Sequence, residues 1–385
     1  MSFEMCTDGG RLRATFPAAA YGPEAFAEAL AELPPDVAPR LETRDHLTTL
    51  TLDGDADRTP KAAADLFGRI NGYPVFPEGA LRDFRNSPAP LVSCILLLPF
   101  NDLFARNVIL PSIIHNSAPH PIEIIVVFAG FGVDRGPFEH LRQLDSELTC
   151  ISKGYNLGVR EARGEYVALF HDDCFVDDPA WISKALCALR DDVVAVTPEL
   201  DTWQSVPLGK AVPLVMRRDD FLRAGGYDEY YYAGVEDMDL AITLVAAGVR
   251  QAQIDIRYRH LRGMGTSLIV HERPHQLKLL FGYQMLPAST IARVHRDMMQ
   301  RLLEQGFIRM LEGEYHLHFL DKFGPLLVQR FGVDVPLMRR AYELRRYPYL
   351  LSPEIAYISN REKLLAAFRA LMNVADLERP LEDGR

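Results

Sequence analysis

Apolar residues in the middle of the chain form short, unbroken runs separated by segments of helical spacing. The runs 92–98 and 122–128 show no alternation of apolar and polar positions, which is typical of strands covered on both faces. Helices are predicted around 104–116 and over 236–248. This order predicts an α/β protein with a doubly wound, mostly parallel sheet, whose ligands bind at the carboxyl ends of the strands.

A third apolar run, Tyr166 to Phe170, ends in the polar triplet His171-Asp172-Asp173. A buried strand that delivers carboxylates at its carboxyl end is typical of ligand sites in open α/β sheets. Oxygen ligands of this kind also bind the hard cations that accompany phosphates. Taken alone, the same triplet fits a polar, solvated turn equally well.

Further elements are predicted between and after these runs. Residues 138–146 predict a helix, and residues 148–151 predict a short strand. The segment 153–158 predicts a turn that opens a helix ending at Arg163. Asp178 is the predicted N-cap of a helix with Pro179 in its first turn.

The two ends of the chain differ from this central pattern. Residues 1–85 show the order β-α-β-β-α and predict a small α+β accessory domain, while the proline-containing stretch 74–90 predicts a linker. Residues 86–275 hold the strand–helix alternation and form a second predicted domain. Residues 276–385 have helical spacing in several segments and predict a mainly α-helical C-terminal region.

Composition narrows the class of protein. The net charge of -10 argues against a nucleic-acid binder, which usually carries a basic face. The five cysteines contain no CxxC pair, which favours free thiols in a reducing compartment. No apolar run approaches the roughly 18 residues of a transmembrane helix, and no signal peptide is recognisable. We expect a cytoplasmic, soluble protein of unspecified oligomeric state.

A second acidic pair, Glu236-Asp237, opens a segment of helical spacing. An acid pair in this position commonly caps a helix and complements its dipole. The pair nevertheless follows a Gly225-Gly226 turn and precedes His260, which lies close to two further glycines. The combination of strand-end acids, glycine turn, helix-start acids and histidine favours a functional site over two unrelated caps.

At these residues the sequence resembles the GT-A glycosyltransferases, and in particular the inverting family 2. The resemblance covers about 91–267. It rests on four segments, which are 92–101, the motif Asn156-x-Gly158-x-x-x-Ala162-x-Gly164-Glu165-Tyr166, the triplet 171–173, and the block Gly225-Gly226-Tyr227-Asp228-Glu229 followed by 234–240. The resemblance implies a GT-A fold and a nucleotide-sugar donor.

The resemblance also implies residue roles at a divalent cation, Mn²⁺ or Mg²⁺. Asp173 aligns with the second acid of the family's DxD motif and is the first expected metal ligand. His171 stands where the family has the first acid, and an imidazole suits Mn²⁺ better than Mg²⁺. His260 stands where related enzymes supply a further ligating histidine. Asp172 is expected to contact the ribose or the metal.

The Glu236-Asp237 segment is implied to be catalytic. Asp237 is the expected general base, which takes the proton of the acceptor as it attacks the anomeric carbon from the face opposite the leaving group. Glu236 is expected to bind the acceptor or to share this role. The cation would stabilise the departing diphosphate.

The remaining expectations concern the donor and the acceptor. The family commonly has a base-reading acid after the second strand, and none occurs here before Asp134. Donor contacts are therefore expected from Pro99, Phe100, Asn101, Phe128, Lys153 and Asn156. Acceptor contacts are expected from Trp203, Tyr231 and Tyr232. A solvated Lys153 and aromatic residues that only pack a loop are equally good interpretations.

Two other functions fit parts of the sequence. A nucleotidyltransferase would share the fold, but it would carry a glycine-rich, basic loop after the first strand, where this chain has Pro-Phe-Asn-Asp. A catalytically degenerate GT-A module would bind a nucleotide or a partner without turnover, and the histidine at 171 favours it. The acceptor is a small molecule, a peptide or a glycan.

Overall fold

The computed structural model describes residues 11–17, 23–44, 47–54, 59, 62, 65, 66, 69, 76, 79–98, 105–129, 135–146, 151–172, 174–203, 206–209, 213–231, 235–260 and 307–350, for some of them the backbone only. Statements about structure refer to these residues.

The main sheet has seven strands in the described part of the chain. In chain order the strands of the protein are β1 (Arg11–Pro17), β2 (Ala38–Arg44), β3 (Leu47–Asp53), β4 (Val92–Leu98), β5 (Ile122–Phe128), β6 (Arg142–Asp145), β7 (Tyr166–Phe170), β8 (Cys174–Val176), β9 (Val193–Thr197), β10 (Leu200–Trp203), β11 (Val206–Gly209), β12 (Leu214–Arg217), β13 (Arg250–Gln253) and β14 (Tyr258–His260). The main sheet has the order β13-β9-β12-β7-β4-β5-β6. Strand β12 is antiparallel to both neighbours, and the other pairs are parallel. The predicted mostly parallel sheet is confirmed.

Helices cover both faces of this sheet. The α-helices are α1 (Pro23–Leu30), α2 (Ala80–Asp83), α3 (Leu110–Ser117), α4 (Ile151–Glu161), α5 (Trp181–Ala188), α6 (Arg218–Arg223), α7 (Glu236–Ala246), α8 (Phe307–Phe331) and α9 (Val335–Leu350). A π-helical turn, Ala105–Ile109, leads into α3. Every residue of β4 and β5 is buried, as expected of strands covered twice.

Alternate residues of β4 divide between two apolar cores. Ile95 and Leu97 belong to the core that includes residues of α4, α6 and α7. Leu96 and Leu98 belong to the core that includes residues of α3 and α5. The doubly wound α/β architecture predicted from the apolar runs is therefore confirmed.

Helix α4 corrects the prediction of a turn at 153–158. The two glycines of this segment lie inside the helix, where they let it approach the sheet. A Cβ at Gly158 would lie 2.5 Å from Cγ2 of Ile95, and one at Gly154 would overlap Leu97. The glycines therefore serve close packing and not a change of chain direction.

The predicted helix at 138–146 is also wrong. The segment forms a 3₁₀ turn, Gly136–Phe138, followed by the edge strand β6. Phe138 and Leu141 have helical spacing, but both are buried beneath the sheet edge, and the Phe138 ring packs edge-on against Phe128. The backbone from Arg142 then pairs with β5, which satisfies its hydrogen bonds in the sheet.

The N-terminal strands form a separate three-stranded antiparallel sheet in the order β1-β3-β2. Buried residues of this unit, including Phe26 and Leu50, are continuous with the core under α3 and α5. The predicted linker includes α2, and Asn86 beyond it exchanges two hydrogen bonds with the backbone of Ile124, at 3.1 and 2.6 Å. This part of the linker is thus attached to the sheet. The domain division at residue 85 remains a prediction.

The predicted helical C-terminal region is confirmed over α8 and α9. These two helices pack against each other, and α8 also contacts α7 of the sheet domain. Pro325 lies inside α8. No helix in the described ranges has the length and apolar content needed to cross a membrane.

Candidate active site

The strand-end triplet lies at the carboxyl edge of the main sheet. His171 and Asp172 directly follow β7, and Asp172 is only 1% exposed. Strand β8 then pairs with β14, with the Cα of His260 opposite that of Cys174. The fold therefore brings the backbone of His260 next to the triplet, as the predicted metal site requires. Asp173 and the side chain of His260 lie outside the described residues.

Tyr155 of α4 supports the end of β7. Its hydroxyl donates a 2.9 Å hydrogen bond to the carbonyl of Phe170, and its ring lies 5.6 Å from that of His171. The same ring lies 5.8 Å from Tyr227, in the loop that precedes the second acidic pair. Tyr155 thus forms a buried link between the two acidic segments.

The second acidic pair occupies the first turn of α7. Glu236 is 5% exposed and Asp237 is half-buried. One Asp237 oxygen accepts a 2.7 Å hydrogen bond from the N–H of the next residue, Met238. The N-cap position is Val235, which makes no side-chain capping hydrogen bond, so neither acid acts as the N-cap of α7.

Tyr227 completes the link and was missed by sequence reasoning as a site residue. Burial raises the pKa of its hydroxyl, and the charges of Glu236 and Asp237 raise it further. The phenol therefore stays protonated, and its buried oxygen has no hydrogen-bond partner among the described residues. Its position in the Gly-Gly-aromatic motif was the available signal.

Val235 is the residue immediately before α7, and its backbone conformation is unusual. It has a φ of 75°, in the left-handed region that a β-branched residue rarely adopts, and it is buried. Such a conformation persists only where the surroundings hold it, and it is common at functional sites. The strained residue directly precedes Glu236.

Asn156, whose contact with the donor remains a prediction, holds the loop before α7. Its side-chain N–H groups donate to the Tyr227 carbonyl at 2.8 Å and to Glu229 at 3.1 Å, and its oxygen accepts from the Tyr227 N–H at 2.9 Å. Gly226, with a φ of 72°, passes so close that a Cβ there would lie 2.5 Å from this oxygen. The amide is committed to holding the loop against α4.

The Phe128 ring also packs within the protein. It is buried, with the Arg135 guanidinium 4.3 Å above its centroid and Phe138 at its edge. Its stacking on a nucleobase remains a prediction. Lys153 lies in the first turn of α4, not in a loop, at the carboxyl edge of the sheet where crossover helices begin. Its contact with phosphate remains a prediction.

The two described acceptor candidates are covered by the C-terminal helices. Tyr231 is completely buried, and Trp203 packs edge-on against Phe319 at 5.5 Å. The Trp203 indole N–H also donates to the Tyr342 hydroxyl at 3.4 Å. The contact of these rings with a sugar acceptor remains a prediction. Pro99, Phe100, Asn101 and Tyr232 lie outside the described residues.

A cluster of charges between α8 and the α7 region was not foreseen from the sequence. The Lys322 ammonium lies 2.7 and 2.8 Å from the two oxygens of Asp239 and 3.0 Å from Asp228. The Tyr231 hydroxyl donates to Asp239 at 3.0 Å, and the His318 ring lies 3.2 Å from Asp228. This cluster is next to the acidic pair in sequence, but its cation comes from the C-terminal region.

The cluster shifts the pKa values of its members. A hydrogen bond from His318, followed by contacts to the Tyr230 N–H and Lys322, holds the pKa of Asp228 well below its usual range. Burial raises the pKa of Asp239, although Lys322 and Tyr231 both favour its ionised form. Burial opposes the charge of Lys322, but hydrogen bonds and charges from Asp239 and Asp228 raise its pKa overall.

Imidazole and carboxylate groups at the strand end fit Mn²⁺ or a related transition ion better than Mg²⁺. Among the described side chains, no group of three or more His, Cys, Asp or Glu residues is arranged to hold a metal ion. The fit therefore rests on donor type and on the β8–β14 pairing, which brings the backbone of His260 to the end of the triplet.

No family profile and no curated protein matches the chain. Among solved structures, it is similar to the mannosyltransferase PcManGT of Pyrobaculum calidifontis in complex with GDP-Man and Mn²⁺, with a TM-score of 0.38, 15% identity, and coverage of 83% of this chain and 97% of that chain. It is also similar to GalNAc-T7 with UDP, GalNAc and Mn²⁺, with a TM-score of 0.37, 9% identity, and coverage of 75% and 59%. Both similarities are distant, so the account of the site rests on the geometry above.

Proposed function

We propose that the chain is an inverting, metal-dependent glycosyltransferase of the GT-A type, similar to family 2, that transfers a sugar from a nucleotide-sugar donor. The convergence of two acidic segments carries the proposal. Glu236 and Asp237 lie beside Tyr227, Tyr227 packs on Tyr155, and Tyr155 packs on His171. A transferase needs these two functions side by side, one for the diphosphate and one for the acceptor proton.

In this proposal the residues of the site have distinct roles. His171, Asp173 and His260 would hold a divalent cation, which when bound supplies positive charge to the donor diphosphate. Asp172 would contact the ribose or the same cation. Asp237 would accept the acceptor proton, and buried Glu236 would orient the acceptor hydroxyl. Tyr227, kept protonated by its surroundings, would steady the two carboxylates.

The proposed reaction is a single displacement. The acceptor oxygen forms a bond to the anomeric carbon while the bond from that carbon to the diphosphate oxygen breaks. The electron pair of the breaking bond leaves with the nucleoside diphosphate, and the acceptor proton passes to Asp237. No covalent enzyme intermediate is needed, and the configuration at the anomeric carbon is inverted.

The first experiment asks whether a donor binds and reacts. The purified chain is incubated with Mn²⁺ and a panel that includes GDP-mannose and UDP-N-acetylgalactosamine, with and without hydroxyl-bearing small molecules, a peptide and a glycan. We expect a thermal shift with at least one donor and release of its nucleoside diphosphate. A chain that responds to no nucleotide sugar would not be a glycosyltransferase.

The second experiment tests the base. Asp237→Asn is expected to abolish turnover while leaving donor binding unchanged, because the amide keeps the shape of the side chain but cannot take a proton. Asp219→Asn is the matched control, since Asp219 is also an acid in the first turn of a helix, α6, but is exposed. Full turnover by Asp237→Asn would reject the assignment.

A donor-binding module without turnover is the second candidate function. The histidine at 171, where the family has an acid, and the absence of an acid between Phe128 and Asp134 favour it. The Phe128 ring and the Asn156 amide are also both engaged in contacts within the protein. This candidate predicts a thermal shift with a nucleotide but no product from any acceptor. It also predicts that Asp237→Asn and the wild-type chain behave alike.

A further inference from the structure

The segment that carries Glu236 and Asp237 is attached at both ends to one cation. Asp228 precedes the acidic pair and Asp239 follows it, and the Lys322 ammonium lies within 3.0 Å of both carboxylates. Lys322 belongs to α8, far along the chain from either acid. One side chain of the C-terminal region thus closes a bridge across the proposed catalytic segment.

One end of the bridge is buried, although the Lys322 side chain itself is 36% exposed. The Asp239 side chain is 2% exposed, and besides Lys322 it receives the Tyr231 hydroxyl. A carboxylate this deeply buried remains charged only with compensating partners. Lys322 is the cation that the described structure provides for it.

Aromatic packing fixes α8 in register with the loop. The His318 ring stacks on Tyr230 with 3.9 Å between centroids and an interplanar angle of 13°, and its Nε2 lies 3.2 Å from Asp228. Tyr315 contacts the rings of both Tyr230 and Tyr231. The positions 315, 318 and 322 recur at the spacing of one helix face, so a single face of α8 covers the loop.

The covered segment contains the strained residue Val235. Its left-handed backbone directly precedes Glu236, and its carbonyl accepts the Asp239 N–H at 2.9 Å. Strain of this kind relaxes when the surrounding contacts are loosened. The contacts that oppose relaxation include the bridge from Asp228 through Lys322 to Asp239.

We propose that Lys322 is a positioning residue, which holds Glu236 and Asp237 in their working geometry by bridging Asp228 and Asp239. This inference rests on the proposed transferase function, in which Asp237 is the base. His318 assists by fixing Asp228 from its other side. The helical C-terminal region is then a part of the active site and not an independent appendage.

The test compares Lys322→Met, Lys322→Arg and the wild-type chain at full length. Methionine keeps much of the side-chain volume but not the charge, so kcat is expected to fall about 100-fold, as for a displaced catalytic group. The donor dissociation constant is expected to change by no more than about threefold, because the donor contacts are not touched. Arginine restores the charge and is expected to recover part of kcat.

Arg339→Met is the matched control. Arg339 forms an ion pair with Asp321 between the same two C-terminal helices, but both side chains are at the surface and away from the loop. Wild-type kcat is expected for this variant. Wild-type kcat in Lys322→Met as well would overturn the inference.

Hydrogen exchange separates this inference from the proposed function. The amides in the first turn of α7, including the Asp239 N–H, are expected to exchange faster in Lys322→Met than in Arg339→Met. This readout needs no substrate, so it still applies if the wild-type chain turns over no donor, a result that would reject the transferase proposal alone. Equal exchange in the two variants would overturn the bridge.

If Lys322→Met does not fold, a less disruptive variant can be tested in its place. Tyr231→Phe removes only the hydroxyl that donates to Asp239. We expect a smaller loss of kcat and a smaller increase in exchange at the start of α7 than for loss of the cation. Unchanged kcat and unchanged exchange in Tyr231→Phe would count against the bridge as a positioning device.

Discussion

At the scale of single residues, Asn156 and Gly226 show how the loop before α7 is held. The Asn156 amide uses both its donor and its acceptor on this loop, and Gly226 leaves the space for it. The adjacent Gly225 also has a positive φ, of 90°, but a Cβ there would meet no atom within 4 Å. The two neighbouring glycines are thus required for different physical reasons, Gly225 for its left-handed backbone alone and Gly226 also for the close approach of Asn156.

This difference gives the first prediction. Gly225→Ala is expected to cost about 1–2 kcal/mol in unfolding free energy, from its left-handed backbone alone. Gly226→Ala carries the same backbone cost and also displaces Asn156, so it is expected to cost about 1–3 kcal/mol more. Urea denaturation measures both values.

The control is to repeat Gly226→Ala in a chain that lacks the Asn156 side-chain amide. In an Asn156→Ala background the nearest obstructing oxygen is gone, so Gly226→Ala is expected to cost less than in the wild-type background, although the Phe221 ring would still lie 3.0 Å from the new Cβ. Equal costs of the two glycine substitutions in the wild-type background would show that the close approach does not matter.

Asp228 provides a prediction about pH. Its pKa is lowered in the folded chain, so the folded state binds this proton less readily than the unfolded state. Its contribution to stability is present above the ordinary aspartate pKa of about 3.9 and is lost as the pH falls below it. The groups that face it are His318, Lys322 and Asp239.

The measurement is the melting temperature as a function of pH for the wild-type chain and for Asp228→Asn. The variant is expected to be the less stable of the two at neutral pH. The gap is expected to narrow as the pH falls below about 3.9, because the Asp228 carboxyl of the unfolded chain then takes up a proton that the folded chain binds less readily. A gap that stays constant down to pH 2 would argue that the Asp228 charge contributes nothing.

At the scale of elements, α4 is a helix because of its packing and despite its glycines. Glycine costs a helix interior roughly 1 kcal/mol relative to alanine. Gly154 and Gly158 are nevertheless required, because the helix lies directly on Leu97 and Ile95 of β4. Local preference and tertiary contact oppose each other here, and the contact prevails.

Gly158→Ala therefore tests whether the close packing of α4 on β4 outweighs helix propensity. Helix propensity alone would make this substitution stabilising, but the new methyl group would overlap Ile95, so we expect a loss of about 1–3 kcal/mol. Ile95→Ala provides the space, and the double variant is expected to lose less than the sum of the two single variants. Additive losses, or a more stable Gly158→Ala chain, would contradict the close packing.

The same element shows what the sequence could and could not predict. Apolar runs identified the strands because burial on both faces leaves a direct trace in the residue types. The glycines of α4 were interpreted as a turn because a chain reversal and a close helix–strand contact select the same residue. The acidic pairs were recognised by composition, but their distances and coverings depend on contacts that no local pattern records.

At the scale of the whole molecule, the C-terminal helices are attached to the sheet domain at several places. These include the charged cluster at Lys322, the contact of Trp203 with Phe319 and Tyr342, and the hydrogen bond from Arg330 to the Val245 carbonyl. Sequence reasoning predicted these helices but not their partners, because Lys322 and Asp239 are 83 positions apart and each is unremarkable alone.

Removal of the two helices is the prediction at this scale. A chain shortened to residues 1–306 is expected to unfold at lower urea than the full-length chain, because Asp239 loses its cation and Tyr231 loses its cover. Asp239→Asn is expected to be strongly destabilising in the full-length chain, where it removes the buried partner of Lys322 and leaves that cation with Asp228 alone, and much less so in the shortened chain. Equal effects of Asp239→Asn in both chains would show that the two regions are not coupled through this charge.

The long separation between Lys322 and Asp239 has a consequence for how the protein is made. During synthesis α7 is completed well before α8, so the Asp239 carboxylate exists for a time without Lys322, the cation with which it pairs in the folded protein. Until then, keeping Asp239 hydrated or protonated costs less than burying it charged. The nascent sheet domain would then have its strands in place but an acidic segment without its bridge, and the proposed activity would begin only after α8 has been synthesised and has packed against that segment.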